Sequence, residues 1–302
     1  MARWYPITNL IWHLKLKNIF KTLFQNIEFI IFVILNKTLK LLSFNTTSNL
    51  GSFLVSTFGP FTKYSNIISK NLENLDCEKS LISSISKQNL SQTGRVFFEF
   101  FNLNKFNWEA ISVENEKYLN EIKEYQGSKI FISAHIGNWE ITRNYLLNLG
   151  FKLHSVYRHA NNHKIDQYIQ KNRIRKNAYF YKKGSDSAKN MIKALKNNED
   201  LALLVDQRDS SGPVINFFGK KAYATDGFAN LALKYQTMIC PIYSIRQKNG
   251  NFKFIYEKPL YFKDYKELSA NNLVEKVHSD YFEKWIRENP TQWLWVHQRW
   301  RL

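Results

Sequence analysis

The chain has 302 residues, of which 44% are hydrophobic and 23% charged, so it can bury a sizeable core in one large or two smaller domains. This composition excludes an intrinsically disordered chain. The formal net charge of +18 indicates acidic partners, namely nucleic acid, anionic lipid or an acidic carrier protein, and does not choose among them. With only Cys77 and Cys240, a disulfide framework is excluded and two buried free thiols are predicted.

The N-terminal segment, residues 1–44, is basic and rich in aromatic residues. Glu28 is the only acidic residue before Leu72, and the longest purely apolar run is 29–35. We find no signal-peptide pattern and no unbroken run of the roughly 20 apolar residues that a transmembrane helix needs. The pattern predicts a helix that lies in the headgroup layer of an anionic membrane. A true span and an ordinary core helix with a solvated basic face are the alternatives.

Residues 45–302 are predicted to form one catalytic domain. Its first part, 45–92, is rich in Ser and Asn and predicts short helices and loops. Apolar runs further on predict strands at 129–134, 152–157, 201–205, 238–245 and 252–256, the last as an edge strand. Between and after them, helical patterns occupy 138–149, 164–176, 186–196, 228–235 and 271–287. This alternation predicts an α/β fold with a mostly parallel central sheet flanked by helices.

Polar residues follow several of these strands directly. His135 comes after the first strand, Arg158 after the second, and Asp206 with Gln207 after the third. In parallel sheets, sites form beyond the carboxyl ends of strands. We therefore expect these side chains along one edge of the sheet.

His135 and Glu140 are the clearest candidates for acid–base chemistry. Five residues on an ideal helix leave two side chains about 140° apart, so pairing requires His135 in the strand-to-helix turn and Glu140 in the first helical turn. Gly137 suits that turn, and Asn138 is a possible N-cap. A carboxylate on one ring nitrogen would leave the other as a general base, with N–H groups of the new helix near an oxyanion. Spacing alone favours a plainer interpretation, a hydrogen-bonded loop histidine with Glu140 at the helix dipole.

The segment 134–140, Ala-His-Ile-Gly-Asn-Trp-Glu, resembles the first block of the lipid A biosynthesis acyltransferase family, which includes the lauroyl and myristoyl transferases and belongs to the lysophospholipid acyltransferase superfamily. Other similar stretches occur in the family's order: Asn74, Gly94-Arg95 and Glu99 upstream, then 156–158 with Asn161-Asn162, Asp206-Gln207, 217–219, 224–225, 239–242 and the tail 290–300. The resemblance therefore covers nearly the whole chain. The acid of its first block is Glu, a variant found within this family, where the broader superfamily has Asp.

The resemblance implies transfer of a fatty acyl chain from acyl carrier protein, or acyl-CoA, to a hydroxyl of a lipid A precursor or related glycolipid. His135 would deprotonate that hydroxyl, and Glu140 would hold the imidazole and balance its charge. No covalent acyl-enzyme, cofactor or metal is implied. The family also implies a place on the cytoplasmic face of the inner membrane. The basic N-terminal segment, rather than the resemblance, indicates an anionic membrane surface as partner.

By the same resemblance, the expected substrate-binding residues are Gly137, Asn138, Arg158, Asp206 and Gln207. Arg158 would bind a phosphate of the acceptor, and an ion-paired surface arginine is the alternative. Asp206 and Gln207 would line the site or only orient a loop. The tail tryptophans are expected to pack or to anchor at an interface rather than to bind substrate.

Three other functions are the alternatives for this sequence. A nucleic-acid-binding protein fits the charge, but the sequence has no RRM signature, zinc knuckle or dense basic recognition helix, so we expect no nucleic acid partner. A serine lipid hydrolase needs a GxSxG elbow, which does not occur. A non-catalytic membrane-associated protein of the same fold is the third, and both His135 and Glu140 count against it.

Overall fold

The computed structural model of the protein describes residues 7–75 and 78–301, so Cys77 lies outside the described residues. Its helices are α1 Ile7–Leu39, α2 Phe44–Phe58, α3 Lys63–Leu72, α4 Lys79–Glu99, α5 Glu116–Glu124, α6 Trp139–Asn148, α7 His163–Arg173, α8 Ser185–Lys196, α9 Gly227–Tyr235, α10 Phe262–Tyr265, α11 Ala270–Val277 and α12 Glu283–Glu288. Its strands are β1 Ile111–Glu114, β2 Lys129–Ser133, β3 Leu153–Tyr157, β4 Ala178–Lys182, β5 Asp200–Leu204, β6 Val214–Phe217, β7 Lys220–Tyr223, β8 Met238–Arg246 and β9 Phe252–Tyr256.

Seven strands form the central sheet in the order β1-β9-β8-β2-β5-β3-β4. The five strands β8, β2, β5, β3 and β4 are parallel to one another. Strand β9 is antiparallel to β8 and parallel to β1. The mostly parallel α/β fold is thus confirmed. The prediction of β9 as an edge strand is wrong, because β1 pairs along its outer side. Sequence reasoning missed β1 and β4, whose short, half-exposed runs carry charged or polar residues.

Strand β2 lies in the middle of this sheet and is buried on both faces. Ile130 and Ile132 belong to the core cluster that also holds Leu273 and Trp285 of α11 and α12. Phe131 points into the other cluster, which is covered by α5 and α6. Alternation along a strand sends successive side chains to opposite faces, so helices cover both sides of β2.

Helix α1 contains a stretch, Ile19–Leu39, of 21 residues with a mean hydropathy of 1.5, and only 6% of its most apolar window is buried inside the protein. By length and composition this helix can cross a membrane. This stretch contains no unbroken apolar run of that length, because Lys21, Gln25, Glu28 and Lys37 interrupt it, and the alternative of a true span stays open. The division of the chain at residues 44 and 45 stays a prediction.

The segment after α1 is more helical than predicted. Helix α4 has 21 residues and packs closely on α2, where a Cβ added to Gly94 would lie 2.1 Å from the carbonyl oxygen of Gly51. The single helix predicted for 271–287 is α11, a π-helical turn at His278–Phe282, and α12.

Candidate active site

His135 lies in the turn between β2 and α6, outside the helix, as the spacing argument required. Gly137 makes this turn possible: its φ is +58°, and a Cβ there would lie 1.7 Å from the carbonyl oxygen of Ser244. Asn138 caps α6, because its side-chain oxygen accepts from the backbone N–H groups of Glu140 and Ile141 at 3.1 Å each. The predicted strand, turn and N-cap are confirmed.

Asp206 holds the imidazole of His135. Nδ1 of His135 lies 2.7 Å from Oδ1 of Asp206, and the backbone N–H of His135 donates to Oδ2 at 2.9 Å. The indole N–H of Trp293 also donates to Oδ2, at 2.7 Å. These three hydrogen bonds therefore hold the Asp206 carboxylate against the imidazole of His135 and the backbone of the turn.

The charge state of Asp206 determines the tautomer of His135. Burial raises the pKa of this carboxyl, but the charge of His135 and the hydrogen bonds from His135 and Trp293 outweigh it and lower the pKa to about 2. The ionised carboxylate can only accept, so in the neutral imidazole Nδ1 carries the proton and Nε2 presents a lone pair. His135 thus has the arrangement of a general base.

Nε2 of His135 faces Gln207. The side-chain Nε2 of Gln207 lies 3.3 Å from it, at a distance where an amide N–H donates to the ring lone pair. The indole ring of Trp139 contacts the imidazole edge to face, with centroids 5.0 Å apart. Gln207 and Trp139 therefore flank the nitrogen that would act as base.

Glu140 does not bond to His135, which corrects the predicted pairing. Its carboxylate is ion-paired with Arg173 of α7 and, at 3.0 Å, with Arg143 of α6. Burial raises the pKa of Glu140, but the two arginines outweigh it and hold the pKa below its ordinary value, with a small contribution from His135. The reason is positional, because Asp206 already occupies Nδ1 and the first turn of α6 directs Glu140 toward the arginines.

Most polar groups of this turn are hydrogen-bonded to other residues of the protein. The N–H of Gly137 donates to the carbonyl of Gln292 at 3.0 Å, and the Asn138 amide donates to Glu99 at 2.7 Å. Since Asn138 also caps the first N–H groups of α6, the amides of Glu140 and Ile141 do not face an oxyanion. Substrate contacts of Gly137 and Asn138 stay predictions.

A cavity of about 820 Å³ opens at this edge of the sheet, and His135 and Gln207 line it. One set of lining side chains is apolar: Phe131, Leu146, Phe180, Ala202 and Ile242. A second set is basic: Arg143, Arg158, Arg173, Lys183 and Arg208. Arg158 is exposed and follows β3, on the expected edge, although β5 separates β3 from β2. The cavity lining therefore combines apolar and positively charged side chains with His135.

Sequence reasoning missed Trp293, Arg143 and Arg173 as site residues. The tail tryptophans do pack, as predicted: Trp293 and Trp295 contact edge to face at 4.5 Å, yet Trp293 also bonds Asp206. Arg143 is three residues after Glu140, a helical pairing distance that was a usable signal. Arg173 follows 33 residues after Glu140 and carried none.

No group of three or more His, Cys, Asp or Glu residues that could hold a metal ion occurs within 7–75 and 78–301. His154, which lies near Arg158 in sequence, is instead bonded to Tyr181 at 2.7 Å and to Glu199 at 2.8 Å.

Comparisons with known proteins add three findings. The family model described as bacterial lipid A biosynthesis acyltransferase matches residues 17–302. A search of curated protein sequences finds no significant match. Among solved structures, the chain is similar to the crystal structure of the 1-acyl-sn-glycerophosphate (LPA) acyltransferase PlsC from Thermotoga maritima, with 14% identity and a TM-score of 0.39 over 85% of this chain and 99% of that chain.

Proposed function

Because the chain belongs to the bacterial lipid A biosynthesis acyltransferase family, we propose that it moves a fatty acyl chain from a thioester donor to a glycolipid hydroxyl with His135 as general base. The observation that carries the choice of base is the 2.7 Å contact between Nδ1 of His135 and the buried, ionised Asp206. In the neutral imidazole, that contact favours the tautomer in which Nε2 is the unprotonated nitrogen.

In the proposed reaction, the acceptor hydroxyl donates to Nε2 of His135 and loses its proton there as its oxygen attacks the thioester carbonyl. The tetrahedral intermediate then collapses, the carbon–sulfur bond breaks, and the imidazolium returns the proton to the departing thiolate. Asp206 stabilises the imidazolium between these steps. No acyl-enzyme forms.

Gln207 and Glu140 have different places in this proposal. Gln207 must release Nε2 of His135 when the hydroxyl arrives, which leaves its amide as a donor beside the reacting carbonyl. Glu140 acts on His135 through its charge only, and its two arginine partners attenuate that effect. Asp206 is therefore the proposed catalytic carboxylate, and Glu140 supports the site indirectly.

The identities of the acyl donor and of the acceptor go beyond what the family assignment shows. We propose acyl carrier protein or acyl-CoA as donor and a lipid A precursor or related glycolipid as acceptor. The apolar lining side chains that keep exposed surface, Phe180, Leu203 and Leu204, suit an acyl chain, and exposed Arg158 suits a phosphate on the acceptor.

The decisive experiment is His135→Ala in the purified full-length enzyme. Loss of a general base lowers turnover by about 10² to 10⁴-fold. His159→Ala is the matched control, because His159 is exposed and bonded only to the neighbouring carbonyl of Ala160 within the part of the chain that the structure describes. Turnover of His135→Ala close to that of the control would contradict the proposal.

We also propose that α1 holds the enzyme at the cytoplasmic face of the inner membrane through anionic lipid. Large apolar side chains along it are exposed, among them Phe20, Phe24 and Ile31, and the basic Lys17 and Lys21 lie in the N-terminal part of the same stretch. Charge reversal at both lysines should reduce flotation with anionic liposomes and leave flotation with neutral liposomes unchanged. Flotation that does not respond to lipid charge would refute this docking.

A further inference from the structure

Arg143 and Arg173, here called the arginine pair, meet in the cavity wall from two different helices. Both reach the carboxylate of Glu140. Both guanidinium groups also lie over the ring of Phe180, at 4.3 Å and 5.2 Å from its centroid. All four side chains line the cavity that His135 lines.

The arginine pair carries one positive charge more than its surroundings compensate. Among the described residues, Glu140 is the only carboxylate ion-paired with either arginine. The arginine side chains are only 12% and 17% exposed. Burial lowers the pKa of Arg143 to about 10, and although Glu140 opposes this, nearby Arg173 and Arg175 add to it. A buried charge without a counter-charge is unfavourable, and contact with Phe180 offsets only part of that cost.

Hydrogen bonding within the arginine pair is also incomplete. Nε of Arg143 and Nε of Arg173 are both buried, and neither has a hydrogen-bond partner within 7–75 and 78–301. Buried donors without an acceptor are costly, and a bound ion is one way in which such donors are satisfied. Charge and unsatisfied donors thus point to the same kind of ligand, an anion with several acceptor oxygens.

We propose that Arg143 and Arg173 form an anion-binding subsite for a phosphoryl group of one of the two substrates, with Glu140 as the positioning residue that holds both guanidinium groups. This inference rests on the proposed function. Planar guanidinium forks match the oxygens of a phosphoryl group with paired hydrogen bonds. Two sources supply this chemistry: a phosphorylated glycolipid acceptor and the phosphopantetheine arm of the donor.

Thermal unfolding of the full-length protein tests the subsite without any acyl transfer. Arg173→Gln leaves a neutral Glu140–Arg143 pair, so this variant should melt no lower than the wild type when no anion is present. Added pyrophosphate should raise the melting temperature of the wild type and not that of Arg173→Gln. The matched control is Lys189→Gln, because Lys189 is 81% exposed, pairs with Asp186 at 4.0 Å and lies outside the cavity lining. The control should keep the pyrophosphate response.

Steady-state kinetics then distinguish the two sources. Arg173→Gln should raise the KM of the phosphate-bearing substrate by about 10- to 150-fold, the range for hydrogen bonds to charged groups. One arm compares phosphorylated and dephosphorylated acceptor, and the other compares acyl-phosphopantetheine with acyl-pantetheine. For the substrate whose phosphoryl group binds the subsite, removing the phosphate should make the KM values of wild type and Arg173→Gln nearly equal.

Two results would overturn the subsite: an Arg173→Gln protein that melts well below the wild type and still responds to pyrophosphate, or a KM ratio that no phosphate removal changes. A wild-type enzyme that transfers no acyl group at all would instead contradict the proposed function, and the thermal measurement would still decide the subsite.

Discussion

Two buried carboxylates lie near His135, and their surroundings give them different capabilities. Asp206 contacts a titratable ring and two N–H donors, whereas Glu140 contacts two guanidinium groups. A proton can move on the imidazole beside Asp206, but arginine holds its proton throughout the working pH range. The partners therefore decide the function of each acid: Asp206 suits proton transfer, and Glu140 suits the fixing of charge.

Asp206→Asn removes the proposed catalytic carboxylate and should have the largest effect on activity of the three substitutions. The amide keeps the shape, but its N–H can face Nδ1 of His135, which favours the wrong tautomer and removes the charge that stabilises the imidazolium. We expect turnover to fall by about 10² to 10⁴-fold with a small change in KM. Steady-state kinetics on both substrates measure this. A change confined to KM would make Asp206 a binding residue.

Glu140→Gln should act first on stability. It leaves two buried guanidinium groups without a carboxylate, and breaking a buried ion pair in this way costs about 3 to 5 kcal/mol of unfolding free energy. Glu114→Gln is the matched control, because Glu114 pairs with Lys253 at 3.0 Å while 50% exposed, where a pair contributes about 0 to 1 kcal/mol. Denaturant unfolding in detergent measures both. Equal losses in the two variants would show that the arginines do not depend on Glu140.

Arg158→Ala should have the smallest effect of the three. Arg158 is exposed, so solvent weakens its contact with an acceptor phosphate, and we expect acceptor KM to rise by about 10-fold, the low end for a charged hydrogen bond. The acceptor KM of Arg158→Lys should lie between those of wild type and Arg158→Ala, because lysine keeps the charge but lacks the forked guanidinium donors. An acceptor without phosphate is the control: a defect of equal size on it would mean that Arg158 does not bind phosphate.

Local patterns predicted the parts of the site that local sequence determines. The apolar run of β2, the glycine that the turn at 137 requires and the cap at Asn138 placed His135 correctly. Its partner did not follow from spacing, because Asp206 is 71 residues away and reaches the ring only through the pairing of β2 with β5. The strand-end rule brought Asp206 to this edge, but choosing it over Glu140 required three-dimensional side-chain packing. Arg173 depended on α7 docking beside α6, for which the sequence carried no local signal.

We expect Asp206, and not Glu140, to set the tautomer of His135. ¹⁵N NMR of histidine-labelled protein measures this directly, since protonated and unprotonated ring nitrogens have distinct shifts. In the wild type and in Glu140→Gln we expect His135 protonated at Nδ1 and unprotonated at Nε2, and in Asp206→Asn we expect this preference to be lost. A His135 tautomer that persists in Asp206→Asn and changes in Glu140→Gln would show that Glu140, and not Asp206, sets it.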